Sequence, residues 1–126
     1  MKYRSLYVTN AFSLSMIKDF PCTIKVQEVP SPKEAESLII SEEAGGAYIS
    51  FRIGHASTLQ VLREMLKNLR LPEEPNRDPV TVEPNCNDAV LVFQLFKRPQ
   101  EGQIYSQEEL KEIISKNLYK FLLVEV

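Results

Sequence analysis

The sequence predicts a single α/β domain over residues 1–126, a mixed sheet of five or six strands flanked by helices. Stretches in which apolar residues alternate with polar ones, or run on as β-branched and aromatic residues, are interleaved with stretches whose apolar residues recur at threes and fours. Strands and helices mixed along one chain fold as layers, helices against a sheet. A chain of 126 residues, 44% of them apolar, is long enough to bury one core, and neither a linker nor an internal repeat divides it.

Leu6-Tyr7-Val8-Thr9 opens the chain as a strand running into Asn10. After Asn10 or Ser13, Leu14, Ile17 and Phe20 recur at threes, and Pro21 ends a helix of two turns. Residues 23–29 mostly alternate, as in a half-buried strand. Ser31 then caps a helix with Pro32 in its first turn, running from about Pro32 to Ile39. Beyond Gly45-Gly46, a strand over 47–53 places Ile49, Phe51 and Ile53 on one face.

Ser57 or Thr58 caps the next helix, whose stripe of Leu59, Leu62, Met65, Leu66 and Leu69 is the most regular in the chain. Prolines among charges make 71–77 a surface connection, and 79–83 is a short strand. The turn at 84–88 leads into Ala89 to Phe96, an almost continuous apolar run expected of a central strand buried on both faces. The hairpin so formed supplies an antiparallel pair. Ser106 caps a helix bearing Leu110, Ile113 and Ile114, and Leu118 to Val126 closes the sheet.

Composition excludes several function classes. Fifteen Lys and Arg against seventeen Asp and Glu leave a net charge of −2, a poor footprint for duplex nucleic acid or an anionic membrane. Four glycines, at Gly45, Gly46, Gly54 and Gly102, form neither a dinucleotide-binding loop nor a Walker A sequence. One histidine and two cysteines fall short of the four ligands of a structural zinc site. Cys22 and Cys86, far apart and outside any CxxC, are expected as buried thiols in preference to a disulfide. The acidic pairs Glu42-Glu43, Glu73-Glu74 and Glu108-Glu109 read as solvated surface. With no signal-peptide core and no apolar window of membrane-spanning length, a soluble cytoplasmic protein is expected.

Three short segments hold the candidate chemistry. His55 lies between a strand end and a helix start, where α/β folds bind anions and where an imidazole can give a proton to a leaving oxygen. Gly54 and Ser57 flank it. Gln94 interrupts the apolar strand, and a buried amide there would need a partner. On strand parity Arg98 follows on the same face, a bidentate fork for phosphate that Glu101 can orient. Asn10 and Ser13 bring an amide and a hydroxyl to another strand-to-helix junction. Each residue also has an ordinary use: loop hydrogen bonding for His55, a solvated turn for Arg98, capping for Asn10 and Ser13.

Taken together, Thr9-Asn10-Ala11-Phe12-Ser13, Ile53-Gly54-His55-Ala56-Ser57-Thr58 and Gln94 through Arg98 to Glu101-Gly102 resemble the viral ring nuclease family in order and spacing over nearly the whole chain. These are the type III anti-CRISPR proteins of archaeal viruses, with relatives in phages, plasmids and some cellular genomes. The resemblance implies a small α/β homodimer that binds cyclic tetra-adenylate and degrades it with no metal or cofactor, in the host cytoplasm if the gene is viral. It places the catalytic histidine on His55, the arginine and glutamate near the scissile phosphate on Arg98 and Glu101, and ligand contacts on Asn10, Ser13 and Gln94. Ala56 and the Lys97-Arg98-Pro99-Gln100 loop depart from the family's more usual residues. Two other classes are alternatives: a non-catalytic module that sequesters or senses a cyclic nucleotide with the same Asn10, Ser13, Gln94 and Arg98, and a small nucleic-acid-binding regulator, for which the acidic balance is a poor footprint.

Overall fold

Four strands run in one sense and a fifth runs against them. The computed structural model describes residues 3–10, 12, 23–76, 82–96 and 104–126. Its strands are β1 (Ser5–Thr9), β2 (Lys25–Val29), β3 (Tyr48–Arg52), β4 (Ala89–Leu95) and β5 (Tyr119–Glu125), hydrogen-bonded in the order β2-β5-β4-β1-β3. β1 lies parallel to both β3 and β4, whereas β5 is antiparallel to both β4 and β2. The described helices are α1 (Pro32–Ala44), α2 (Ala56–Met65) and α3 (Gln107–Ser115).

All three helices feed one core. Ala35 and Ile39 from α1, Leu59 and Leu62 from α2 and Leu110 and Ile113 from α3 cluster with Leu6, Val8, Leu91, Phe93, Phe121 and Leu123 of the sheet. The opposite face carries a smaller cluster, Val82, Val90 and Val124 with Tyr7, Phe12 and Val92 packed against it. Leu6 and Val8 against Tyr7, or Leu91 and Phe93 against Val90 and Val92, show the period-two alternation that divides the two faces.

The caps expected at Ser31 and Ser106 are present, whereas neither Ser57 nor Thr58 caps its helix. Ser31 Oγ accepts the Glu34 N–H at 3.2 Å, and Ser106 and Glu109 form a reciprocal capping box at 3.2 and 3.1 Å. α1 runs past Ile39 to Ala44, ending at Gly45, and Gly46 takes a φ of 99° that suits its lack of a Cβ. α2 starts at Ala56, so Ser57 and Thr58 lie inside its first turn and His55 is the N-cap. Ile53, Gly54 and His55 separate the strand end from the helix, and the Ile53 and Gly54 amides are held by the side chains of Asn76 and Asn10.

Several expectations are corrected. The antiparallel pairs are β4 with β5 and β5 with β2, not a hairpin between 79–83 and β4; both sides of β4 are already taken, by β1 and β5. Val82 and Glu83 carry no strand, and residues 79–81 lie outside those described, as does the expected helix after Ser13. β2 is an exposed edge, not a half-buried strand. Cys86 is disulfide-bonded and exposed in the turn before β4, so it is not a buried thiol; Cys22 lies outside the described residues. Glu42 is buried, not solvated, because its carboxylate accepts the Tyr3 N–H at 2.7 Å. No helix of the described residues is long and apolar enough to cross a membrane.

The amino ends of the strands hold a polar knot. Arg4 reaches the buried Asp88 carboxylate through two contacts of 3.3 Å, and the Asn85 N–H donates to the same group at 2.8 Å. Asn87, with a φ of 75°, accepts from the Arg4 amide and donates to the Val126 carbonyl, joining β1 to the end of β5. The Tyr3 hydroxyl donates to Glu125. Burial first, then the hydrogen bond and charge of Glu125 and the charge of Glu42, push the Tyr3 phenol well above its ordinary range. The folded state therefore keeps this proton where the unfolded chain has lost it. Its stabilisation is complete below about pH 10 and declines as pH rises above that. Tyr3→Phe is expected to cost about 1 kcal/mol near neutral pH through the lost hydrogen bond. Urea unfolding at pH 7, 10 and 11 checks this, and the variant's stability should fall less steeply over the alkaline range than the parent's.

Candidate functional site

β4, β1 and β3 lie side by side in one sense, so their carboxyl ends reach one edge of the sheet, the place where open α/β sheets bind ligands. Thr9 stands opposite Arg52 on one side and Val92 on the other. β4 runs on for three residues beyond that rung, bringing Gln94 past the end of β1. Asn10, Gly54, His55, Ser57 and Gln94 all fall on or just past this edge.

The junction after β3 is held from two sides. Asn10 Oδ1 accepts the Gly54 N–H at 3.4 Å, tying the first motif to the second. Asn76 Oδ1 accepts the Ile53 N–H at 2.9 Å, and the Asn76 N–H donates to the Ile53 carbonyl at 2.8 Å. These bonds end the strand and aim the following residues out of the sheet. His55 is exposed, in extended backbone geometry (φ −123°, ψ 130°), and its side chain does not cap α2. The imidazole is thus accessible to a ligand. The first N–H groups of α2, at Ala56, Ser57 and Thr58, have no intrahelical acceptors and carry the positive end of the helix dipole. Ser57 is half-buried within that turn, while the Gly54 amide is engaged by Asn10.

Gln94 is exposed, which corrects the expectation of a buried amide. It shares the face of Val90 and Val92, away from the described helices, and it lies beyond the last rung with β1. It needs no internal partner, because it is open to solvent or to a ligand. Opposite it on β5 stands Lys120, whose Nζ is 3.8 Å from Glu28 Oε2. On the same face, Arg52 donates from Nε to Ser50 Oγ at 2.9 Å, which leaves the two terminal nitrogens of its fork to meet other groups. Ser13, Arg98 and Glu101 lie outside the described residues. Among the described residues, no group of three or more His, Cys, Asp and Glu side chains could hold a metal ion.

Sequence reasoning missed Arg52, Asn76 and Gln60. Arg52 was legible by parity: if Ile49, Phe51 and Ile53 face the core, Ser50 and Arg52 face the other way. Gln60 on α2 exchanges two bonds of 2.8 Å with the backbone of Tyr105, anchoring the far end of the connection that includes Arg98 and Glu101. No local pattern reveals that pairing across 45 residues, or the one between Asn76 and Ile53.

Comparison with known proteins agrees with this arrangement. Among solved structures, B116 of Sulfolobus turreted icosahedral virus (STIV) is similar, with a TM-score of 0.74 and 27% identity over 97% of this chain and 99% of that chain. No curated protein matches the chain. The STIV B116-like family model matches residues 6–118, a span that takes in Asn10, the Gly54-His55 junction, Gln94 and the connection after it. The chain belongs to the STIV B116-like family.

Proposed function

We propose that the chain is a metal-independent ring nuclease, which binds cyclic tetra-adenylate across a homodimer and cuts it into two linear di-adenylates with 2′,3′-cyclic phosphate ends. Its action would switch off the second messenger of type III CRISPR defence. The observation that best supports this is the Asn10 to Gly54 hydrogen bond, which joins two of the three resemblance motifs at the carboxyl ends of parallel strands. His55 stands exposed beside that bond, at the start of a helix whose free amides suit a phosphate.

The reaction asks little of the protein because RNA carries its own nucleophile. The 2′ oxygen attacks the adjacent phosphorus, the bond from phosphorus to the 5′ oxygen breaks, and the 2′-hydroxyl proton passes to solvent. His55, as imidazolium, gives its proton to the departing 5′ oxygen. The protein's contribution is in-line positioning, charge stabilisation on the phosphoryl oxygens and that one proton. In this scheme Arg98 meets the phosphoryl charge and Glu101 orients it, Ser57 and the α2 amides face the phosphate, and Asn10, Ser13 and Gln94 contact sugar and base. Arg52 adds positive charge on the Gln94 face where a tetra-anion would lie, while the Lys120 charge is met by Glu28. Two-fold symmetry of a dimer matches a ring of four nucleotides, one His55 addressing each of two opposite phosphates.

Incubation of purified protein with labelled cyclic tetra-adenylate tests the proposal. Linear di-adenylate with a cyclic phosphate end is expected; tight binding with no product would replace the enzyme by a sequestering module, and absence of both would overturn the ligand assignment. His55→Ala is expected to lower single-turnover cleavage by roughly 10²–10⁴-fold, the usual scale of a general acid, with ring binding retained. Arg98→Ala should reduce both rate and affinity; an unchanged rate would transfer the phosphoryl role to another cation. Cleavage should proceed undiminished in EDTA, and activity that EDTA abolishes and magnesium or zinc restores would refute the metal-free scheme.

A further inference from the structure

Arg52 closes β3 with a charge that no carboxylate meets among the described residues. Its Nε donates to Ser50 Oγ at 2.9 Å, and Ser50 is itself buried, at 7% exposure. A guanidinium carries five N–H donors in a rigid fork, so this one bond fixes the group and leaves the four donors of its terminal nitrogens. Lys120, on the same face, is met by Glu28, and Arg4, at the opposite end of the strands, by Asp88. Among the described residues at the carboxyl edge, Arg52 is therefore the cation held in place with its charge unmet.

The register fixes where that fork stands. Thr9 lies opposite Arg52 on one side and Val92 on the other, so the three side chains share a face, and Gln94 follows on it two residues after Val92. That face is turned away from the described helices. On the strand between Arg52 and Gln94, β1 ends at Thr9, and Asn10 follows with its hold on Gly54. His55 comes three residues after Arg52, at most about 11 Å of backbone. One ligand of oligonucleotide size at this edge can meet all of them.

We infer that Arg52, oriented by Ser50, binds the phosphates of the ring that are not cut, one from each protomer. The inference rests on the ring-nuclease reading and gives a definite partner to a residue that the reading uses only as nearby charge. A two-fold axis sorts the four phosphates of a cyclic tetranucleotide into two opposite pairs. In the proposed reaction one pair is scissile, met by His55, the α2 amides and Arg98. The other pair is equally charged and does not react, yet a phosphate taken out of water without a counter-charge is costly. Each protomer must supply one further cation, and the Arg52 fork matches two oxygens of a phosphodiester. A contact made equally before and during the reaction strengthens binding without speeding the chemical step. Arg52 is thus a residue of affinity, in contrast to His55.

Titration of cyclic tetra-adenylate into His55→Ala protein, which holds the ring uncut, tests the assignment. Adding Arg52→Ala should weaken binding roughly 10–100-fold, the loss expected of a charge-assisted contact, and make the remaining affinity less sensitive to salt. Arg52→Lys, which keeps the charge without the fork, should recover part of the loss. Ser50→Ala should weaken binding to a smaller degree and add nothing to Arg52→Ala, because it acts through the guanidinium. With His55 in place, the cleavage rate at saturating ring should fall by less than the affinity does. Unchanged affinity in Arg52→Ala, or a loss confined to the rate, would overturn the assignment while the ring reading stands. Failure of the parent protein to bind the ring would overturn both. Should Arg52→Ala not fold, Arg52→Gln, uncharged and nearer in size, is read in its place.

Discussion

The candidate site depends on how the chain leaves β3. Asn10 and Asn76 accept the two successive amides at Ile53 and Gly54, one from the β1 side and one from the outer edge. An amide beyond a strand end has lost its ladder partner, and an asparagine side chain restores one without continuing the strand. The consequence is an abrupt change from sheet to helix, with three residues, Ile53, Gly54 and His55, between them. Without that clamp the strand could run on, and both the imidazole and the free amides of α2 would turn away from the ends of β1 and β4.

A second constraint is the unequal treatment of the two sheet faces. The described helices all contribute to one cluster, so Leu6, Val8, Leu91 and Phe93 are sealed while Tyr7, Val92 and Gln94 on the reverse face are open to different degrees. Alternation along each strand then puts Arg52, Lys120 and Gln94 together on the open face. On that face Lys120 is paired with Glu28, so the positive charge left to meet a ligand is that of Arg52. Glu42 and Asp88, the buried acids, lie at the other end of the strands, where Tyr3, Arg4 and the turn at Asn85 hold them. Stability and ligand chemistry thereby occupy opposite ends of the same strands.

Elements governed by short-range chemistry were legible in the sequence. The Ser31 and Ser106 caps, the apolar stripe of α2, the strand at Leu6 to Thr9 and the central place of Ala89 to Leu95 follow from side chains within one or two turns of each other. Misreadings arose where a distant partner decided. Glu42 looked solvated until Tyr3, 39 residues away, supplied a donor. Gln94 looked buried because its neighbours in sequence are apolar, yet β1 ends too early to cover it. Cys86 looked like a core thiol, but its turn places it at the surface and oxidised.

The sequence by itself determined the fold class, most of the strands and helices, and the set of residues able to carry phosphate chemistry, because periodicity, capping and side-chain type are properties of neighbouring residues. Only the tertiary structure decided the order β2-β5-β4-β1-β3, the convergence of Asn10, His55 and Gln94 at one edge, and the closure of Ile53 by Asn76. Strand order and backbone partners are set by packing between segments far apart in the chain. That is why a spacing of 44 residues between Asn10 and Gly54 carries no geometry until the strands between them are paired.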